Sequence, residues 1–225
     1  MSASSSRKTT RWRSALASSL VLLALIGGQL LGAACQAPGP PREALVRWVI
    51  DGDTLVLENH ARVRLLGIDA PEMGKDGAPP EFMAPESRDA LIALAKGKRI
   101  RLEYDRHRYD RYGRVLAYLF TPEGAHINAD LVRQGLARVY FHSPNWRFKA
   151  ELLAAQKEAM EGQRGLWSRP LKQDEAFYLA NRNSFRLHRP GCPLAQDIAP
   201  HNRVKMTSLK DAFLEGYSPC RSCKP

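Results

Sequence analysis

Between residues 44 and 120 the apolar positions fall in short runs bounded by turn residues, which is the pattern of strands. Residues 44–50 (ALVRWVI) read as a first strand, and Asp51-Gly52 follows as a turn that tolerates positive φ. Residues 54–57 return as a second strand, 62–68 (RVRLLGI) form a third, 99–104 a fourth and 115–120 a fifth. Three stretches change to helical spacing. Pro85-Glu86 opens a helix that runs to about Ala95, with Gly97 just beyond it. Asn128 is placed to cap a second helix through Leu131, Val132 and Leu136. Asn145 is placed to cap the longest, in which Phe148, Leu152, Ala155 and Ala159 form a stripe and Gly162 lies near the end. Five short strands with three helices inserted or appended predict an α+β domain over residues 44–169, built on a small closed barrel.

The first forty residues follow a different pattern. Arg7, Lys8, Arg11 and Arg13 precede an apolar run over 15–34 (ALASSLVLLALIGGQLLGAA), and small residues then lead to Cys35. This is the layout of a secretory signal peptide, assigned to residues 1–34. Cys35 after Gly32-Ala33-Ala34 resembles a bacterial lipobox, although Gly32 stands where Leu is usual. Lipidation at Cys35, plain cleavage and an uncleaved anchor are the three outcomes, and each places the body of the protein outside the cytoplasm. Residues 35–43 then form a short, extended, Pro-rich spacer.

Composition narrows the partners. Hydrophobic residues make up 44% of 225, enough for a packed core. The net charge is +11, and setting aside the four basic residues of the leader still leaves +7. A body this basic attracts polyanions, of which nucleic acid is the commonest; the plainer reading is a solvated surface tuned for solubility.

Candidate chemistry gathers at strand ends. Arg64 sits mid-strand on the same face as Leu66 and Ile68, so its guanidinium needs an anion against an apolar surface, from a structural ion pair or from a ligand. Asp51 and Asp53 flank one turn; Asp69 and Glu72 flank Pro71, which stiffens the backbone between them. Arg114 follows Gly113 at the entrance to the fifth strand, where it can swing toward a site on the barrel.

Three stretches carry a family resemblance: Ile50-Asp51-Gly52-Asp53-Thr54, the run from Arg64 to Glu72 (RLLGIDAPE), and Asp110-Arg111-Tyr112-Gly113-Arg114. In order and rough spacing they resemble staphylococcal nuclease, and the likeness continues through residues 131–137 (LVRQGLA) to Gly165-Leu166-Trp167. The resemblance covers roughly residues 45–168. It implies a five-stranded OB-fold β-barrel with three helices, Ca²⁺ dependence, and cleavage of DNA or RNA to leave 3′-phosphate and 5′-hydroxyl ends. It implies Asp53, Asp69 and the backbone carbonyl of Ala70 as calcium ligands. The family's prototype carries Thr at the last of these; a carbonyl ligand survives that change, a hydroxyl contact does not. It implies Glu72 as the residue that positions the attacking water, Arg64 and Arg114 as the phosphate-gripping pair, and Tyr112 and Tyr140 as nucleotide contacts. The chain is one residue shorter between Val139 and Pro144, which bears on Tyr140, and residues 73–82 depart freely from the family.

These residue types suit the chemistry. Attack on a phosphodiester adds charge to oxygens that are already negative, and two planar guanidinium forks with a hard cation match that excess. Two carboxylates and one carbonyl leave a calcium site open to water and substrate, in the weak range of about 10⁻⁴–10⁻³ M.

The tail over residues 177–225 brings a second metal set. His188 and Cys192 are four apart, Cys220 and Cys223 three apart, and one imidazole with three thiolates completes a tetrahedral zinc site. A segment under fifty residues with little apolar content needs such a staple. The competing arrangement is a Cys220–Cys223 disulfide with Cys192 free. A helix over residues 208–216 carries Leu209, Ala212 and Phe213 on one side, with Asp211 placed for a capping box. The tail resembles the zinc domain of the Ada DNA-repair proteins, which uses four cysteines; His188 stands where the first would be, so a structural zinc module is expected rather than methyl transfer. Arg182, Arg186, Arg189, Arg203, Lys205 and Lys210 make it basic. The combined expectation is an exported, monomeric, calcium-dependent nuclease with a C-terminal zinc-binding domain. The alternative is a non-catalytic barrel that captures nucleic acid.

Overall fold

The computed structural model describes residues 39–225; the leader over 1–34 and Cys35 lie outside them. Five strands close into a barrel in the order β1 (Glu43–Asp51), β2 (Thr54–Leu57), β3 (Arg62–Leu65), β6 (Val115–Phe120), β5 (Arg99–Glu103). All neighbours are antiparallel except β3 and β6, which run parallel with Arg64 across from Leu116. Alternation accounts for the closure: Val63 and Leu65 of β3 point inward while Arg62 is exposed. Three helices flank the barrel: α1 (Ala84–Ala95), α2 (Ile127–Arg133) and α3 (Lys149–Glu161). Leu91 of α1, Leu131 and Val132 of α2 and Leu152 of α3 enter the same buried cluster as Leu55, Leu57 and Ile100, each such side chain contributing about 1.5–3 kcal/mol.

The strand expected over residues 62–68 is interrupted. β3 ends at Leu65, and a separate two-residue strand β4 (Ile68–Asp69) pairs with β7 (Arg138–Val139). The break falls at Gly67, whose φ of 75° requires glycine and where a Cβ would meet Leu152 Cδ1 at 2.4 Å. The interruption turns Asp69 away from the β3 line and toward the barrel rim.

Two expected helix caps are something else. Helix α2 starts at Ile127, and Asn128 is fully buried inside its first turn, accepting from Leu119 N (2.9 Å) and donating to Leu66 O (2.8 Å). Helix α3 starts at Lys149, and Asn145 instead clamps the backbone of His107 through its N (2.9 Å) and O (3.1 Å). Asn128 satisfies backbone groups that would otherwise be buried without partners, and Asn145 pins a loop at the edge of the barrel.

The C-terminal region is more than a helix and a metal knot. It forms a four-stranded sheet in the order β10 (Arg203–Met206), β8 (Tyr178–Asn181), β9 (Arg186–His188), β11 (Ser218–Pro219). Short helices α4 (Pro193–Gln196) and α5 (Leu209–Leu214) join it, and Ser208 Oγ caps α5 by accepting from Asp211 N at 3.1 Å. Tyr178, Leu187, Phe213 and Tyr217 pack here against Ala159 and Trp167 of the preceding region. Gln156 of α3 ties the two regions from inside: Oε1 accepts from Val139 N (2.8 Å) and Nε2 donates to Phe213 O (2.6 Å). Phe185 stacks on Tyr217 and meets Trp146 edge-on, closing the seam. No helix among the described residues is long and apolar enough to cross a membrane.

Candidate active site

The β1–β2 turn brings Asp51 and Asp53 to the barrel rim. Asp51 Oδ1 accepts from Asp53 N (3.0 Å), a local turn that explains why two aspartates flank one glycine. Gly52 is buried, and a Cβ there would lie 1.8 Å from Ser87 Oγ, so α1 sits directly on this turn. Asp53 is buried as well. Its Oδ1 accepts from Thr54 Oγ1 (2.9 Å) and its Oδ2 from Ala70 N (2.8 Å). The second bond brings the Ala70 backbone beside the Asp53 carboxylate.

Arg64 reaches this cluster from β3. Nη1 donates to Leu65 O and Ile68 O, both at 2.8 Å. Nη2 lies 3.1 Å from Asp53 Oδ2 and 3.1 Å from Asp69 Oδ1. The two carboxylates thus converge on one nitrogen atom, close enough to share a cation. Burial first, and the neighbouring Asp51 and Asp69 charges after it, push Asp53 up to about 7 despite Arg64. Crowded, partly desolvated carboxylates of this kind are relieved by a divalent cation, and the donors at hand are all oxygen, the set a hard ion takes. Asp53 and Asp69 therefore offer an oxygen pair of the kind a hard cation takes, with the Ala70 backbone beside them.

Glu72 stands three residues beyond Asp69, past the buried Pro71. Its backbone N and O both bond Glu81, which holds the 70–72 segment at the rim. Arg114 is placed separately. It precedes β6, two residues before the partner of Arg64, and its Nε donates to Asp110 Oδ2 at 2.7 Å. Asp110 also accepts from Tyr112 N and Arg114 N, so this loop is self-organised, and hydrogen bonds to Arg114 keep the Asp110 carboxyl low in spite of its burial. Among the described residues no ion pair joins Arg114 to Asp53, Asp69 or Glu72. Tyr112 is exposed and available to a ligand. Tyr140 is half-buried, with the Arg186 guanidinium 3.8 Å from its ring centroid, so one face is already covered.

Two residues at this site escaped the sequence reading. Arg186 Nη1 lies 3.4 Å from Asp69 Oδ2 while donating to Pro219 O and Ser218 Oγ. Arg221 Nη2 donates to Asp69 Oδ1 at 2.6 Å, and its Nη1 donates to Glu72 Oε1. Burial would lower the Arg221 guanidinium, but Asp69 and Glu72 more than offset that and hold it above its ordinary value. Arg186 comes from β9 and Arg221 from the turn after β11, and both lie more than a hundred residues from Asp69 in sequence. The one sequence signal for Arg221 is its place between Cys220 and Cys223.

The second candidate site forms as the spacing predicts. The ligand atoms of His188, Cys192, Cys220 and Cys223 all lie within 4.8 Å of one another. All three cysteines are free thiols, in place of the alternative Cys220–Cys223 disulfide. Burial, with Cys192 and Cys220 adjacent, pushes the Cys223 thiol up to about 12, and burial and Arg186 push His188 down. A neutral imidazole among crowded thiols is the donor set for zinc.

Comparison with known proteins agrees with this geometry. Residues 62–169 match the family model described as staphylococcal nuclease homologue. The chain is 38% identical over 128 residues to a thermonuclease of Staphylococcus intermedius, covering 56% of this chain and 76% of that one. It is 37% identical over 123 residues to an uncharacterized endonuclease of Escherichia coli, covering 53% and 73%. With endonuclease YncB of Bacillus subtilis the identity is 34% over 141 residues, covering 59% and 62%. With its closed barrel, its rim of paired carboxylates and these relatives, the chain belongs to the staphylococcal nuclease family.

Proposed function

We propose that the protein is an exported nuclease that hydrolyses phosphodiester bonds of DNA or RNA with calcium, leaving 3′-phosphate and 5′-hydroxyl ends. The observation that carries this reading is the convergence of Asp53 and Asp69 on a single nitrogen of Arg64, beside the Ala70 backbone and three residues before Glu72. Asp53, Asp69 and the Ala70 carbonyl would hold the ion. When bound, calcium polarises the phosphate and offsets the charge that builds on its oxygens. Arg64 stays anchored through Nη1 on two backbone carbonyls and turns Nη2 from Asp53 and Asp69 to a phosphate oxygen once those carboxylates serve the ion. Arg114 leaves Asp110 to take a second oxygen. Glu72 accepts a hydrogen bond from water at its carboxylate and takes the proton as the water oxygen bonds phosphorus. The bond to the 5′ oxygen then breaks, and that oxygen leaves as a hydroxyl with a proton from solvent.

His188, Cys192, Cys220 and Cys223 hold a structural zinc that staples the tail. Export rests on the leader, and Cys35 is the candidate lipid-anchoring residue. Incubating the protein with plasmid DNA and with RNA, in calcium or in EGTA, tests the reading. Cleavage in calcium alone, with product ends that accept label only at the 5′-hydroxyl, is expected. Binding without cleavage under both conditions selects the capture reading.

A further inference from the structure

Arg221 belongs to the tail, yet its guanidinium rests on two residues of the barrel. It donates to Asp69 and to Glu72, and its side chain is half exposed, at 52%. Among the described residues those two carboxylates are its only hydrogen-bond partners. By contrast Arg64 and Arg186 are each tied to backbone carbonyls as well. Arg64 and Arg186 are therefore held by the fold, whereas Arg221 is held only by groups that the reaction needs. Asp69 is a ligand for the cation, and Glu72 must be free to hold water. Once both are engaged in the reaction, Arg221 loses its partners. A guanidinium left beside the reaction centre needs a new anion, and the anion that arrives there is the phosphate of the substrate.

The surroundings point the same way. Beyond Asp69 a cleft of about 510 Å³ runs between barrel and tail; its basic lining residues outnumber its acidic ones, Asp69, Glu81 and Asp174, and Arg189 and Lys224 pair with Asp174 and Glu81 while Arg138 and Arg169 make no ion pair among the described residues. Arg138 is across from Asp69 in the β4–β7 pair, and its Nε is buried without a hydrogen-bond partner among the described residues. A basic cleft that opens on the reaction centre suits a polyanionic strand.

We propose that Arg221 is a third phosphate-binding guanidinium of the active site, delivered by the Cys220–Cys223 turn and parked on Asp69 and Glu72 until nucleic acid arrives. The inference rests on the nuclease reading above and gives the C-terminal module a direct part in it. The module thereby places a charge whose position depends on the His188, Cys192, Cys220, Cys223 cluster.

The test compares full-length wild type, Arg221→Ala, Arg221→Gln and Arg221→Lys, with thermal melting to check that each is folded. Arg221→Gln keeps most of the side-chain volume and covers the case in which the alanine variant is unstable. On a short oligonucleotide in saturating calcium, the alanine and glutamine variants are expected to lose at least about 10²-fold in kcat/KM, the scale for one oriented donor, and the lysine variant less. Calcium calorimetry without nucleic acid gives an independent reading. Removing a competing cation from Asp69 is expected to tighten calcium binding several-fold. Unchanged kcat/KM overturns the proposal, because the contact is then a structural ion pair. Faster cleavage overturns it too, because Arg221 is then only a plug. Wild type inert in calcium removes the nuclease reading; in that event calorimetry still decides whether Arg221 competes for Asp69, and unchanged affinity rejects it.

Discussion

Leu55, Leu57, Ile68, Ile100 and Leu131 of the barrel are shielded from solvent within one continuous apolar cluster that three helices help to seal. The C-terminal module has no core of that size. Its larger cluster borrows Ala159 and Trp167 from the barrel's last helix and the turn beyond it, and its smaller one is Ala195 and Ile198 around Cys192 and Cys220. The two regions also hold their candidate metals differently. Asp53, Asp69 and Ala70 sit at a rim whose position is set by strand pairing and by Asn128 and Gly67 behind it. His188, Cys192, Cys220 and Cys223 join β9, the start of α4 and the turn after β11; β9 and β11 already pair as strands, and α4 lies outside that sheet. On the proposed reading a metal at the first site serves chemistry, and a metal at the second serves folding.

The sharpest way to break this contrast is selective chelation. EGTA is expected to abolish cleavage while far-UV circular dichroism of the barrel stays unchanged; activity that persists in excess EGTA removes calcium from the site. Next in size are the site variants. Arg64→Lys, Arg114→Lys and Glu72→Gln are each expected to slow cleavage about 10²–10³-fold, with Glu72→Gln retaining nucleic-acid binding. Near-wild-type rates in steady-state assays would mean that the chemistry lies with other residues.

Stability measurements separate the regions further. Leu131→Ala should destabilise the barrel by about 2–5 kcal/mol in urea unfolding, as large-to-small core changes do. Cys220→Ser should instead lower zinc content by metal analysis and abolish hydrogen-exchange protection over β8–β11, leaving β1–β6 protected. Equal loss of protection in both regions would show that the Gln156 and Trp167 seam makes them one cooperative unit. The smallest effect is expected for Lys205→Ala with Lys210→Ala, both exposed on the tail. Affinity for long nucleic acid should fall, and its salt slope should flatten by about one for each phosphate that is no longer neutralised. Cleavage of a dinucleotide should be unchanged.

The periodicity of short apolar runs was enough for the barrel and its three helices, because inward and outward positions alternate and a slipped strand would expose its whole inner face. Local rules failed where a polar side chain serves distant backbone. Asn128 and Asn145 look like helix caps because capping is the commonest local use of asparagine, but their partners, Leu66, Leu119 and His107, lie well outside the helices beside them. The break at Gly67 was hidden because the flanking residues are all apolar.

Residue identity and spacing determined which groups could do chemistry here: the carboxylates around Pro71, the guanidiniums of Arg64 and Arg114, and the four soft donors of the tail. Those choices depend on charge, donor type and short chain distances, all of which are present in the sequence itself. Only the tertiary structure decided that Asp53 and Asp69 share one nitrogen of Arg64, that Arg186 lies on Tyr140, and that Arg221 crosses from the tail to Asp69 and Glu72. Contacts between groups more than a hundred residues apart leave no periodic trace, since they arise from how two surfaces distant in sequence meet along the Gln156, Trp167 and Phe185 seam.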